Sequence, residues 1–169
     1  DSNVNPDEVF MVEDGVLKVS GVPNGYIRTR ESYSNYKLHV EWRWTAEPAN
    51  SGVLVHTQGE DLFWPKSIEC QLQNQNAGDI VLFQEGTGAT INGTDYMIEP
   101  GEWVMVVRKF EESSENPAGE WNAYDITCEG NNIEIIVNGV LQNRASNLTL
   151  SSGQIVLQSE GGPMEFRNI

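Results

Sequence analysis

The chain has 169 residues, 38% of them apolar, with five Trp, five Tyr and five Phe, and carries 10 basic against 25 acidic side chains. That length suits one domain spanning 1–169 with a real core, and the aromatic content excludes a disordered chain. A net charge of −15 opposes nucleic acid or an anionic membrane as partner and leaves a neutral ligand such as a sugar, or a cation.

Taken in chain order, the dominant pattern is alternation with a period of two. Phe10–Val12 and Val16–Val19 flank Asp14-Gly15, a hairpin turn signal. Lys37–Trp44 sets Leu38, Val40, Trp42 and Trp44 against Lys37, His39, Glu41 and Arg43. Val53–His56, Ile68–Leu72, Asp79–Phe83, Glu102–Phe110 and Asn122–Cys128 follow as strands. Glu134–Val137 and Val140–Asn143 close around Asn138-Gly139, and Gln154–Gln158 and Met164–Ile169 complete the set. No dozen residues sustain a 3.6 period. Many short strands punctuated by Gly and Pro predict an all-β fold of two packed antiparallel sheets, a sandwich or jelly roll. Glu111–Gly119 reads as a surface loop.

No apolar run approaches the length of about 18 residues that would span a membrane. No signal peptide is present, and the opening Asp1-Ser2-Asn3 reads as a processed start. Cys70 and Cys128 each lie in a predicted strand; we expect buried free thiols, with a disulfide as the alternative in an oxidising compartment. Asn92-Gly93-Thr94 and Asn147-Leu148-Thr149 are glycosylation sequons only in a host that uses them.

One stretch carries more than architecture. In Trp64–Gln73, WPKSIECQLQ, the residues Ile68, Cys70 and Leu72 share one face, while Ser67, Glu69, Gln71 and Gln73 share the other. The first face is core. The second is either a solvated sheet surface or the floor of a site.

Several segments in order, GYIRTRESYSNYKLHVEWRW, NSGVLVH, WPKSIECQLQNQNAGD, GEWNAYDI, VNGVLQN and GQIVLQSEGGPMEFRNI, resemble the 3-keto-disaccharide hydrolase domain family from about Phe10 to Ile169. The resemblance implies a concanavalin A-like lectin/glucanase sandwich whose curved sheet offers a carbohydrate face. It also implies action on 3-keto-glycosides outside the cytoplasm, in a periplasmic or secreted protein with its signal peptide removed, or one held at the surface by a lipid. Carried over by position, Glu69 and Gln71 fall on the family's Glu-x-Gln strand and Asn50-Ser51-Gly52 on its Asn-Ser-Gly turn. Gln158 falls on the Leu-Gln strand, and Arg167 with Asn168 on the terminal Phe-Arg-Asn. Many members have Arg where this chain has His56 and Asp where it has Asn74; Trp64 and Asp79 go with the branch that has His.

A retaining glycosidase needs two carboxyls about 5–5.5 Å apart. Here the strand neighbour of Glu69 is Gln71, so double displacement requires Asp79 or Glu160 from another strand. A 3-keto sugar needs less, because the ketone acidifies C2–H: one base removes that proton, the C1 substituent leaves, and water adds. We therefore expect Glu69 and His56 as the catalytic pair. Gln71, Trp64, Asp79, Gln158 and Arg167 are the expected substrate contacts, Trp64 by stacking on a sugar face. No cofactor is required; a divalent cation on His56, Glu69 and Asp79 is the alternative, without HxH or HExxH spacing behind it. Trp42, Trp44, Trp103 and Trp121 read as core, and His39 with Glu41 and Arg43 as a charged outer strand face. The alternative function is a non-catalytic carbohydrate-binding module using the same face.

Overall fold

A computed structural model describes residues 4–169; the Asp1-Ser2-Asn3 start lies outside the described residues. A single helical turn, α1 (Pro6–Val9), begins where the Asn5 side chain accepts from the Asp7 amide at 3.1 Å, with Pro6 in the position that needs no N–H. The other regular elements among the described residues are fifteen strands. They are β1 (Phe10–Glu13), β2 (Val16–Val19), β3 (Gly25–Arg28), β4 (Tyr36–Trp44), β5 (Gly52–Gln58), β6 (Lys66–Gln71), β7 (Ile80–Phe83) and β8 (Gly88–Ile91). Then come β9 (Thr94–Met97), β10 (Val104–Val107), β11 (Asn122–Glu129), β12 (Asn132–Val137), β13 (Val140–Ser146), β14 (Gln154–Ser159) and β15 (Met164–Arg167).

They form two antiparallel sheets, one of nine strands in the order β1-β2-β15-β4-β11-β12-β13-β8-β9 and one of six in the order β10-β7-β6-β5-β14-β3. Three hairpins turn on paired residues with positive φ: Asp14-Gly15, Asn138-Gly139 and Asn92-Gly93. The last of these joins β8 to β9, so the segment that reads as a sequon is a turn. β3, β8 and β9 escape the sequence reading because each is four residues long and either half-exposed or rich in small residues. The Glu102–Phe110 strand is shorter than expected, only Val104–Val107 being paired.

Between the sheets lies one large core. Trp42, Tyr124 and Phe166 come from the nine-stranded sheet, and Val53, Val55, Ile68, Cys70, Ile80, Leu82 and Leu157 from the six-stranded one. Each fully buried Val, Ile, Leu or Phe contributes about 1.5–3 kcal/mol. Cys70 and Cys128 are buried free thiols in this core, and burial pushes Cys128 up to about 11. Among the described residues, no helix is long and apolar enough to cross a membrane.

Alternation makes the rest follow. Residues between those core positions, namely Leu54, Glu69, Gln71, Val81, Phe83, Val156 and Gln158, point to the outer face of the six-stranded sheet. There Leu54, Val81, Phe83 and Val156 build a second, smaller cluster with Trp64, and Tyr26 packs against it.

Candidate active site on the outer face of the six-stranded sheet

Glu69 sits in the middle of this sheet, paired across the ladder with Leu54 on β5 and Val81 on β7. It is directed away from the inter-sheet core, yet it is only 2% exposed. The cover comes from the segment 59–65, which crosses the outer face. Tyr26 Oη donates to Asp61 Oδ1 at 3.1 Å and to the Leu62 carbonyl at 3.2 Å, and Arg28 pairs with Asp61 at 3.0 Å. So tethered, the segment drops Trp64 onto the side chains that flank Glu69, with its ring centroid 6.3 Å from that of Tyr26.

The carboxyl leans diagonally across β5 over Gly52. A Cβ at position 52 would lie 2.1 Å from Glu69 Oε1 and 2.6 Å from Gln158 Oε1, so only glycine lets the two side chains meet there. Ser51 Oγ donates to the Gln158 carbonyl at 2.9 Å and ties the Asn50-Ser51-Gly52 turn to β14. Gln71 Oε1 accepts from the amides of Leu72 and Gln73, both at 3.0 Å, which leaves its Nε2 as the available donor.

Buried polar atoms without partners collect at this point: Glu69 Oε1, both amide atoms of Gln158, and Asn50 Oδ1. Each such atom costs about 1–3 kcal/mol when left unmade, so a fold retains a group of them where something else completes them. Burial, and then the charge of Glu160, holds the Glu69 carboxyl well above the usual carboxylate range. Glu160 follows β14 and pairs with Asn50 through an isolated bridge. Its carboxyl is also raised, by burial.

The structure puts Glu69, Gln71 and Gln158 on one face, takes three expected residues elsewhere and changes the part of a fourth, Trp64. His56 sits in a bulge: the register shifts between Val55 and Gln58 against β6, and between Gln154 and Val156 against β14. With φ at +54°, the backbone turns the imidazole toward the inter-sheet core. There Nδ1–H donates to the Leu150 carbonyl at 2.8 Å and the ring meets Tyr36 edge-on at 6.0 Å. Burial lowers its proton affinity, and it does not partner Glu69. Asp79 is bound to Arg108 at 2.7 Å and to the Lys109 amide at 2.9 Å, where it fixes the start of β7 rather than lining the site. Arg167 lies on the far side of the molecule. It pairs with Glu41, and its guanidinium stacks 4.0 Å from the centroid of Trp121. Trp64 is 5% exposed, a cover for the site and not an open platform.

Two further expectations change. Trp103 is no core residue: it is 53% exposed and stacks on Phe83, with 6.3 Å between ring centroids and 18° between planes. Trp121 is half-buried on the outer face of the nine-stranded sheet, with Arg43 as well as Arg167 over its ring. The cation alternative loses its ligand set, since His56, Glu69 and Asp79 point to three different places. Among the described residues no group of three or more His, Cys, Asp or Glu side chains is placed to hold a metal ion.

Glu160 and Gly52 are the site residues that the sequence reading undervalued. Counting by two from Gln158 along QSE puts Glu160 on the same face, which is the signal that was available. A surface recess of about 570 Å³ lies on the nine-stranded sheet beside Glu129, Glu134 and Arg144. None of its lining side chains is a buried unpartnered group, so the chemistry centres on Glu69 instead.

Two packed antiparallel sheets in this order make a concanavalin A-like jelly-roll fold. Within that class the chain belongs to the family described as the 3-keto-alpha-glucoside-1,2-lyase-like domain, which it matches over residues 1–169. No curated protein matches the chain. Among solved structures it is similar to a "putative glycosyl hydrolase" from Parabacteroides distasonis, with 25% identity and a TM-score of 0.68 over 98% of this chain and 90% of that one. The carbohydrate-binding module CBM66 of Bacillus subtilis has the same fold at 12% identity, TM-score 0.65, over 94% of this chain and 88% of that one. So does the β-glucanase of Bacillus licheniformis at 13% identity, TM-score 0.59, over 94% and 78% respectively.

Proposed function

We propose that this chain cleaves 3-keto-glycosides by proton abstraction at C2, loss of the C1 substituent and addition of water. Glu69 is the base. Its desolvated carboxyl is more basic than a solvated one, which suits removal of a proton whose acidity the ketone has already raised. Gln158 and Gln71 Nε2 supply hydrogen bonds to the enolate oxygen and the ring hydroxyls. His56, Asp79 and Arg167 drop out of the reaction. A carboxyl-lined site in a chain of net charge −15 favours neutral sugars over anionic ones. An exported setting goes with this reading, on the strength of the family resemblance.

The observation that carries the reading is the unpartnered Glu69 oxygen facing an unpartnered amide on the sheet's outer face, with Gln and not a second carboxylate at position 71. The test is turnover of a 3-keto-disaccharide beside its unoxidised parent. Turnover of the first alone, lost in Glu69→Gln and passing through a 2-hydroxy-3-keto-glucal, supports the proposal. Turnover of the unoxidised sugar selects conventional glycoside hydrolysis, and saturable binding without product selects a carbohydrate-binding module.

A further inference from the structure

The proposed reaction leaves one part unfilled, a proton donor for the departing C1 oxygen. A donor must share the face of Glu69, carry an exchangeable proton and reach solvent to be recharged. Gln71, Gln158 and Asn50 cannot ionise. Asp79 is committed to Arg108, and His56 faces the inter-sheet core. Glu160 meets all three requirements. It lies two residues beyond Gln158 on the same face and pairs with Asn50, which is itself two residues from Gly52. It is half-buried, whereas Glu69 is 2% exposed. The Glu69 side chain leans over Gly52 to meet Gln158, two residues before Glu160. The unpartnered atoms of Asn50 and Gln158 belong to the residues that flank Glu160 on the two strands. The Glu160 charge acts on the Glu69 carboxyl.

Resting on the reading above, we infer that Glu160 is the acid of this site, giving its proton to the leaving-group oxygen while Glu69 holds the proton taken from C2. In the first half-reaction the C2–H bond breaks to Glu69, the C1–O bond breaks, a C1–C2 double bond forms, and Glu160 ends as the carboxylate. In the second, water adds at C1 as Glu160 takes its proton, and Glu69 returns a proton to C2. One water is consumed, nothing is oxidised or reduced, and both carboxyls are reset. Burial, which raises the Glu160 carboxyl above its ordinary value, keeps a larger share of it protonated for the first step.

The role makes a prediction that a structural glutamate would not. A good leaving group departs without a proton, so loss of the acid should matter only for poor ones. Glu160→Gln is measured on a 3-keto-disaccharide and on the 4-nitrophenyl 3-keto-glucoside. The expected result is a loss of about 10²–10⁴-fold on the disaccharide, a change within tenfold on the nitrophenyl substrate, and a steeper dependence of kcat on leaving-group pKa. Glu160→Asp, which keeps an acid at shorter reach, should fall between the two. Equal losses on both substrates in a variant with wild-type circular dichroism, or no loss on either, overturn the assignment. Absence of wild-type turnover on both 3-keto substrates sinks the underlying reading, and the assignment with it.

Discussion

The side-chain oxygens of Glu69 and Gln158, carried by strands on either side of β5, meet over the α-carbon of Gly52. Neither Glu69 Oε1 nor either amide atom of Gln158 has a partner among the described residues. The meeting depends on the absence of a Cβ, which makes Gly52 a site residue although it carries no chemistry.

Gly52→Ala tests this directly. The added methyl must displace both side chains, and overpacking of this kind costs about 1–3 kcal/mol. We expect a folded protein with a lower Tm and turnover reduced by about 100-fold, since a shift near 1 Å in a reacting group has that effect. Unchanged turnover in Gly52→Ala would mean that the contact of Glu69 with Gln158 is not used.

Glu69 also ties stability to pH. A carboxyl whose proton affinity is higher folded than unfolded binds more protons in the folded state. Its stabilising contribution is therefore whole below the unfolded value and lost as pH rises through the folded one. Glu69→Gln removes that loss. The variant should melt above the wild type at pH 8, by about 2–4 °C for each kcal/mol recovered, and the two should converge near pH 4. A difference that is constant across pH would show that Glu69 is not the titrating group. The same variant is expected to be inactive, an exchange of function for stability.

His56 has the opposite sign. Its folded state favours the neutral ring, because burial lowers its proton affinity. The stability it confers is present above the unfolded value and lost as pH falls through the folded one. His56→Gln should lower stability by about 1–3 kcal/mol through the hydrogen bond to Leu150 and the packing on Tyr36. The pH dependence of kcat should not move. A shifted kcat profile would return His56 to the reaction.

Trp103 and Phe83 extend the apolar strip beyond Val81 toward the β10 edge, where Val104 and Val106 are also exposed. If the proposed site takes a sugar, this flat aromatic surface is placed to receive the apolar face of a ring. Trp103→Ala should leave Tm nearly unchanged, as exposed substitutions do to within about 0.5 kcal/mol, and raise KM several-fold with kcat preserved. A lower Tm with unaltered KM would make the stack on Phe83 purely structural.

The way the expectations divided has a physical pattern. Glu69 and Gln71 stand on the face that a period of two gives them, because both lie in one unbroken strand, where parity is a local property. The same parity along β5 would put His56 beside Leu54, but a bulge that adds one residue to β5 against both of its neighbours turns the imidazole inward. Trp103 looked like core from its apolar neighbours, yet it precedes an edge strand whose outer side nothing covers. Arg167 sits in a recognisable terminal motif, but β15 belongs to the other sheet.

What the sequence alone determined is therefore whatever depends on near neighbours: the two-sheet β architecture, its Asn-Gly and Asp-Gly turns, and the side of β6 on which the carboxyl stands. Only the tertiary structure decided that β14 and β6 flank β5, that Glu160 arrives beside Asn50, and that the segment 59–65 folds over to remove Glu69 from water. Strand order and long-range register join residues tens of positions apart, and a period of two carries no information about which strands become neighbours.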